Sequence, residues 1–360
     1  MRRAFFAVVV LTFHGLGCST PGPVRETRVE LEPVVIGPDT NGTVRALGAV
    51  GMFKDASQAY TNGKLEAAAR RFLELCEVFP ESPQAPHARF NAGIALLRLG
   101  KLGEAEKALT LARELFVARG TANDVADADR QLIRCYEEQK RWDRLIPAAQ
   151  ALMQRVKLGV TERIEMEVRL GVAKYELGRL AEAERWLRRA LEGHRQNLSV
   201  PSLQGNAYVS RAQFLIGSVY GELFTSVRFR LPVERMRRDL SDKSSFFLKA
   251  QAAYLGCVRL GHPKWSVAAG FQLGKLYEDF YDAMMEAEVP SDLSAEEKEI
   301  YFAELKKKIK PMVHRAIDVY ERNLAMSDRQ HDGAEWAKRT SLQLERMRGI
   351  LRTEFRDIPD

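Results

Sequence analysis

Apolar and small residues return every three or four positions through residues 166–191, MEVRLGVAKYELGRLAEAERWLRRAL. That is the period of an α-helix with one buried face. Gly178 interrupts the rhythm, so the stretch predicts two helices joined by a tight turn. Leu170 and Gly171 fall on the first helix; Ala183, Leu187 and Ala190 fall on the second at helical spacing. Small residues at Gly171 and Ala183 let two antiparallel helices approach closely. Leu187 fills the seam between them, and Ala190 leaves room for a further helix to stack.

The pattern recurs. Gly93, Gly100, Ala105, Leu109 and Ala112 repeat it upstream at identical spacing. Gly63, Ala68, Phe72 and Pro80 supply the second half of an earlier copy, and Ile133, Lys140 and residues 142–153 form a degenerate one whose turn glycine has become Lys140. Downstream, Ile216-Gly217-x-x-Tyr220 and Leu273-Gly274-x-x-Tyr277 begin two more first helices. The turn positions 63, 100, 140 and 178 are spaced by 37, 40 and 38 residues. This resembles the tetratricopeptide repeat, whose period is about 34 residues, and the surplus predicts slightly long helices or turns. The resemblance implies an all-α, right-handed α-solenoid of about six helix pairs with a C-terminal capping helix. A helix pair cannot bury its apolar face alone, so stacked copies are expected to build one continuous core.

Composition agrees with that picture. Ala, Leu, Glu, Arg and Lys dominate and extended runs are scarce after residue 45, so the chain reads as nearly all helix. Its 360 residues would allow two globular domains by length alone, but a solenoid uses the same length as one body. The net charge of +7 is spread among many residues of both signs. With no aromatic-basic module beside it, this charge reads as a solvated surface, and nucleic acid is not an expected partner.

Residues 1–17 read as a targeting segment: Arg2 and Arg3, an apolar run over 4–13, then Gly15-Leu16-Gly17-Cys18. The run is too short to span a bilayer, which needs ~20 apolar residues. The ending resembles a bacterial lipoprotein signal, which implies that Cys18 is lipidated and becomes the new N-terminus. Gly15 departs from that pattern, which has Leu at this place, and an ordinary cleaved signal is the alternative. By the same resemblance Ser19, where Asp would retain the protein at the inner membrane, implies an outer-membrane lipoprotein facing the periplasm. Residues 18–48, with Pro21, Pro23, Pro33 and Pro38 and no helical period, read as a flexible tether with a reach near ~30 Å.

Residues 49–198 then carry four repeats, and 199–360 form a C-terminal repeat-like region interrupted by a basic insertion over 224–245. The insertion holds Arg228, Arg230, Arg235, Arg237 and Arg238 together with Lys243, against Glu234, Asp239 and Asp242. Pro232 would break or start a helix there, and residues 246–260 are expected to supply the delayed second helix. Insertions in solenoids map to one face, often the binding face; a mobile solvated loop is the other reading. Ser294 with Glu297 forms a capping box that opens a helix to about residue 327, bent near Pro311. Residues 336–355 close the array with a charged cap. This C-terminal arrangement resembles tetratricopeptide lipoproteins of gliding bacteria. Phe79-Pro80-Glu81-Ser82 resembles the periplasmic lipoprotein that assists outer-membrane β-barrel assembly.

Cys76, Cys135 and Cys257 are odd in number and far apart, which excludes a complete disulfide framework and favours buried packing. No zinc spacing, Gly-rich phosphate loop, His-Glu-x-x-His or Gly-x-Ser-x-Gly motif is present. The chain therefore reads as a non-enzyme with neither cofactor nor small-molecule substrate: a membrane-tethered scaffold that binds protein partners and helps assemble a cell-envelope machine such as a motility apparatus. A structural subunit of a β-barrel or secretin assembly complex is one alternative, and an enzyme whose site carries no recognised motif is the other. By resemblance, groove residues come from the first helix of each pair. Phe53, Phe90, Arg130, Val168, Phe214 and Phe271 share the position three residues before the small one. They would form a largely apolar strip for an extended or helical peptide; the other reading packs these rings against neighbouring helices. The chaperone-type carboxylate clamp is not carried over, because Phe53 with Ser57 and Phe90 with Ile94 stand where Lys and Asn are required.

Overall fold

The computed structural model describes residues 34–38, 42–327 and 334–356. Cys18, the targeting segment and most of the tether lie outside them. Six helix pairs follow one another: α1 (Ala49–Thr61) with α2 (Leu65–Val78), α3 (Ala85–Arg98) with α4 (Leu102–Arg119), and α5 (Ala122–Glu138) with α6 (Trp142–Arg155). Then come α7 (Val160–Glu176) with α8 (Leu180–Gln196), α9 (Ala207–Ser226) with α10 (Val233–Leu260), and α11 (Pro263–Met285) with α12 (Ala295–Ser327). A final helix, α13 (Ala334–Glu354), packs on α11 and α12. Each helix packs chiefly on its sequence neighbours, so the array is a solenoid.

Within the first four pairs the turn has one conformation. Gly63, Gly100 and Gly178 all take a positive φ near +70°, and so does Lys140 at +56°. That left-handed residue lets the next amide reach back into the helix it leaves: Lys101 N–H donates to Leu96 O, Arg141 to Tyr136 O and Arg179 to Lys174 O. These bonds satisfy carbonyls that a helix end would otherwise strand.

In four of the six pairs a glycine on the first helix faces one large side chain on the second. A Cβ added at Gly93 would lie 2.6 Å from Leu109, and one at Gly171 would lie 2.6 Å from Leu187. Gly217 meets the ring of Tyr254 and Gly274 that of Tyr320 in the same way. The two C-terminal pairs thus keep the seam but fill it with tyrosine. The apolar interior is a row of clusters rather than one continuous core; the largest runs from Ile164 to Phe355, and smaller ones built largely from alanine join the N-terminal helices.

Two expectations change. The tether does not run unstructured to residue 48: β1 (Val35–Pro38) and β2 (Val44–Leu47) pair antiparallel, and Val35 and Leu47 pack against the cluster at α1. Nor is the insertion a loop ending at 245. Only residues 227–232 are non-helical; Pro232 caps α10, and the helix then runs for 28 residues. Lys243, 2% exposed, holds this extension in place: its ammonium donates to Phe224 O at 2.7 Å and Val227 O at 2.9 Å and lies over the Phe224 ring. Those are the terminal carbonyls of α9, where a cation is favoured. The helix opened at Ser294 runs for 33 residues, through Pro311 to Ser327, close to the end expected for it. The capping box at its start forms as expected: Glu297 N–H donates to Ser294 Oγ, and Ser294 N–H donates to the Glu297 carboxylate.

Candidate partner-binding face

The first helices of neighbouring pairs touch one another, α3 with α5, α7 with α9 and α9 with α11. This row of first helices forms one face of the array, here termed the inner face. Over α5, α7 and α9 the face is charged and its charges are internally paired. Arg130 on α5 donates to Glu162 on α7 and to Asp127, at 2.7 Å in the latter case. Arg169, with its side chain 5% exposed, binds Glu137, Glu165 and the Tyr208 hydroxyl. Glu137 also accepts from Arg211 at 2.6 Å, so one carboxylate of α5 ties α7 and α9 together. Burial depresses Arg169 to about 10 and lifts the Glu165 carboxyl above its ordinary range. A half-buried network of this kind sets helix register, because a slip would strand a desolvated charge.

Farther along, between α7, α9 and α11, the face opens into a cavity of about 220 Å³. Its wall carries Tyr175, Ser218, Glu222, Gln272, Lys275 and Asp279, over a floor that includes Tyr254 and Leu276. Burial raises the pKa of the Tyr175 hydroxyl, and the neighbouring Glu222 carboxylate raises it further. Lys275 pairs with Asp279, leaving two carboxylates and one ammonium around an opening lined by hydroxyls and an amide.

The expected groove residues separate on inspection. Val168 is fully buried and Phe271 is 3% exposed, stacked between Tyr320 and Trp336 beneath Arg339. Neither offers surface to a partner, because the seams between pairs close over them. Phe53, Phe90 and Phe214 are half-buried, with ring contacts to Phe72, Phe116 and Trp265 respectively. Arg130 stands on the inner face but is held by α7. The cavity was missed by reading one position per repeat. Its signal lies five residues after Gly217 and Gly274, where Glu222 and Asp279 supply the two carboxylates.

The basic residues of the insertion, Arg228, Arg230, Arg235, Arg237 and Arg238, are all exposed. Arg235 lies 3.9 Å from Asp239, whose carboxylate also accepts from Arg230 N–H. The three cysteines are free, buried thiols, and burial pushes Cys257 up to about 12. Among the described residues no group of three or more His, Cys, Asp or Glu is placed to hold a metal, and no helix is long and apolar enough to cross a membrane.

A tetratricopeptide-repeat family model matches residues 53–116, which span α2, α3 and most of α1 and α4. The array is a tetratricopeptide-type α-solenoid. Solved structures similar to it include MamA MSR-1, at 15% identity and a TM-score of 0.36, covering 57% of this chain and 95% of that one. YrrB, a tetratricopeptide protein with an unusual peptide-binding site, is 16% identical with a TM-score of 0.39, over 57% of this chain and 86% of its own. The tetratricopeptide-like repeats of a putative kinesin light chain from Podosopora anserina are 14% identical with a TM-score of 0.39, over 56% and 95%. No curated protein matches the chain.

Proposed function

We propose that this protein is a protein-interaction scaffold whose inner face holds a segment of a partner protein, with the cavity between α7, α9 and α11 receiving a basic side chain of that segment. The observation that carries this reading is the cavity itself. It is the size of one side chain, it opens on the first-helix face, and Glu222 and Asp279 outnumber Lys275 around it. A chain lying along such a face would be read by side-chain pockets in the manner of other groove-bound peptides. The protein is further proposed to be tethered to the outer membrane, on its periplasmic side, by lipidated Cys18, and to help position an envelope machine such as a motility apparatus. The sequence features at residues 1–18 support the anchor, and the repeat architecture supports the scaffold.

A photo-crosslinking residue in place of Gln272, used in native membranes, tests the site. The expected result is capture of one partner, lost when Glu222→Arg is added and kept when the crosslinker variant also carries Arg237→Glu. Equal capture from position 272 with Glu222→Arg present would place the partner elsewhere.

A further inference from the structure

Among the described residues nothing packs against the outward face of α10. The helix buries Lys243, Phe247, Ala250, Ala253, Tyr254 and Cys257 toward α9 and α11. On another side Val233, Leu240, Leu248 and Leu255 are 45, 39, 60 and 39% exposed. With Arg237, Ser244, Gln251 and Arg259 between and beyond them they follow one another at intervals of three and four, so they share one face of the helix. The line is roughly 33 Å long at 1.5 Å per residue. Leu248 and Leu255 lie where a solvated helix would carry charge.

What surrounds this line selects its occupant. From the α9–α10 joint to the end of α10 the exposed cations are Arg228, Arg230, Arg235, Arg237, Arg238, Lys249 and Arg259, of which Lys249 lies over the Tyr220 ring, and the same stretch holds the acids Glu234, Asp239 and Asp242. Among the described residues no ion pair engages Arg228, Arg237 or Arg238. The stripe is four aliphatic side chains wide in total and has no exposed aromatic. A stable protein interface buries about 800 Å² on each partner and centres on aromatic anchors. A narrow aliphatic line flanked by arginines is instead the composition of a helix that lies in the headgroup boundary of a membrane, with its cations among anionic headgroups. The joint before the extension is also fixed: Leu231 N–H donates to Glu288 and Phe229 is buried, so α10 presents this face from a braced position.

We infer that the outward face of α10 rests on an anionic lipid surface, with Leu240, Leu248 and Leu255 at the acyl boundary and Arg237, Arg238 and Arg259 among the headgroups. Such a contact orients the body on the membrane, which a tether alone does not do. It stands apart from the inner-face reading and does not require Cys18 to be lipidated.

The test uses the full chain carrying Cys18→Ser and Leu248→Cys, labelled there with an environment-sensitive thiol dye; the native Cys76, Cys135 and Cys257 are buried. The control carries Cys18→Ser with the dye at Leu111→Cys, an exposed site on α4. With phosphatidylcholine vesicles containing about a third phosphatidylglycerol, the dye at 248 is expected to shift to the blue. The shift should shrink at least several-fold on pure phosphatidylcholine, at high salt, or with Arg237→Glu and Arg238→Glu. The dye at 111 should not respond. No shift at 248, or the same shift at 111, overturns the inference. A shift that grows with protein concentration in the absence of vesicles overturns it in favour of self-association.

Discussion

Lys140 is the non-glycine residue with a positive φ among those described, and it occupies the turn that Gly63, Gly100 and Gly178 occupy in the sister repeats. A side chain in that conformation costs ~1–2 kcal/mol, against which glycine forfeits ~0.5–1 kcal/mol through the freedom of its unfolded chain. Lys140→Gly is therefore expected to stabilise the protein by about 0.5–1 kcal/mol, seen as a higher urea midpoint at unchanged slope; an equal or lower midpoint contradicts it. The glycine seam makes the opposite prediction. Gly171→Leu forces its side chain onto Leu187 and should cost ~1–3 kcal/mol by overpacking. Gly103→Ala, at a glycine whose added Cβ meets nothing, should leave the melting midpoint within about 0.5 kcal/mol equivalent. Both features were legible in the sequence, because a turn or a seam is a local steric demand that recurs at fixed spacing. The fate of the groove rings was not. Phe90 and Phe271 share a repeat position, yet the first is half-buried and the second stacks beneath α13, a helix outside the repeat pattern.

At the scale of elements, α10 shows where sequence reading stops. Pro232 suits a helix break and a helix start alike, and the surrounding charges favoured an insertion ahead of a helix at 246–260. What decides between them is Lys243, whose partners are backbone carbonyls of another helix and carry no sequence signature. The hairpin at 35–47 escaped for a related reason, since its proline and glycine content resembles a linker. Lys243 also yields a pH signature. Burial lowers its pKa to about 8, while in the unfolded chain a lysine titrates near ~10.4. Between those values the unfolded state binds more protons, so this group's contribution to stability rises with pH across that window. The stability of the native protein relative to Lys243→Met should accordingly increase from about pH 8 to about pH 10, measured as paired thermal melts. A difference that stays constant with pH contradicts the assignment.

For the whole molecule, the order of helix pairs puts two different surfaces on one body: an inner face of paired charges ending in an acid-rimmed cavity, and an outer helix with an aliphatic line among arginines. The repeat count and the C-terminal cap could be read from periodicity, because stacking reuses one packing solution. The cavity could not, since it forms where three first helices from different repeats converge. The proposed anchor makes its own prediction. Cys18→Ala should move the protein from the membrane pellet to the soluble fraction on cell fractionation, and full retention in the pellet without lipid label would show another anchor. The claim on which the functional account rests is that a partner lies on the first-helix face. Hydrogen exchange of the full chain, free and bound to the partner captured through position 272, measures this directly. The account predicts further slowing of amides in α7, α9 and α11, around Tyr175, Glu222 and Asp279, with α8 and α10 unchanged. Slowing confined to the second helices, with the first helices unaffected, would contradict it.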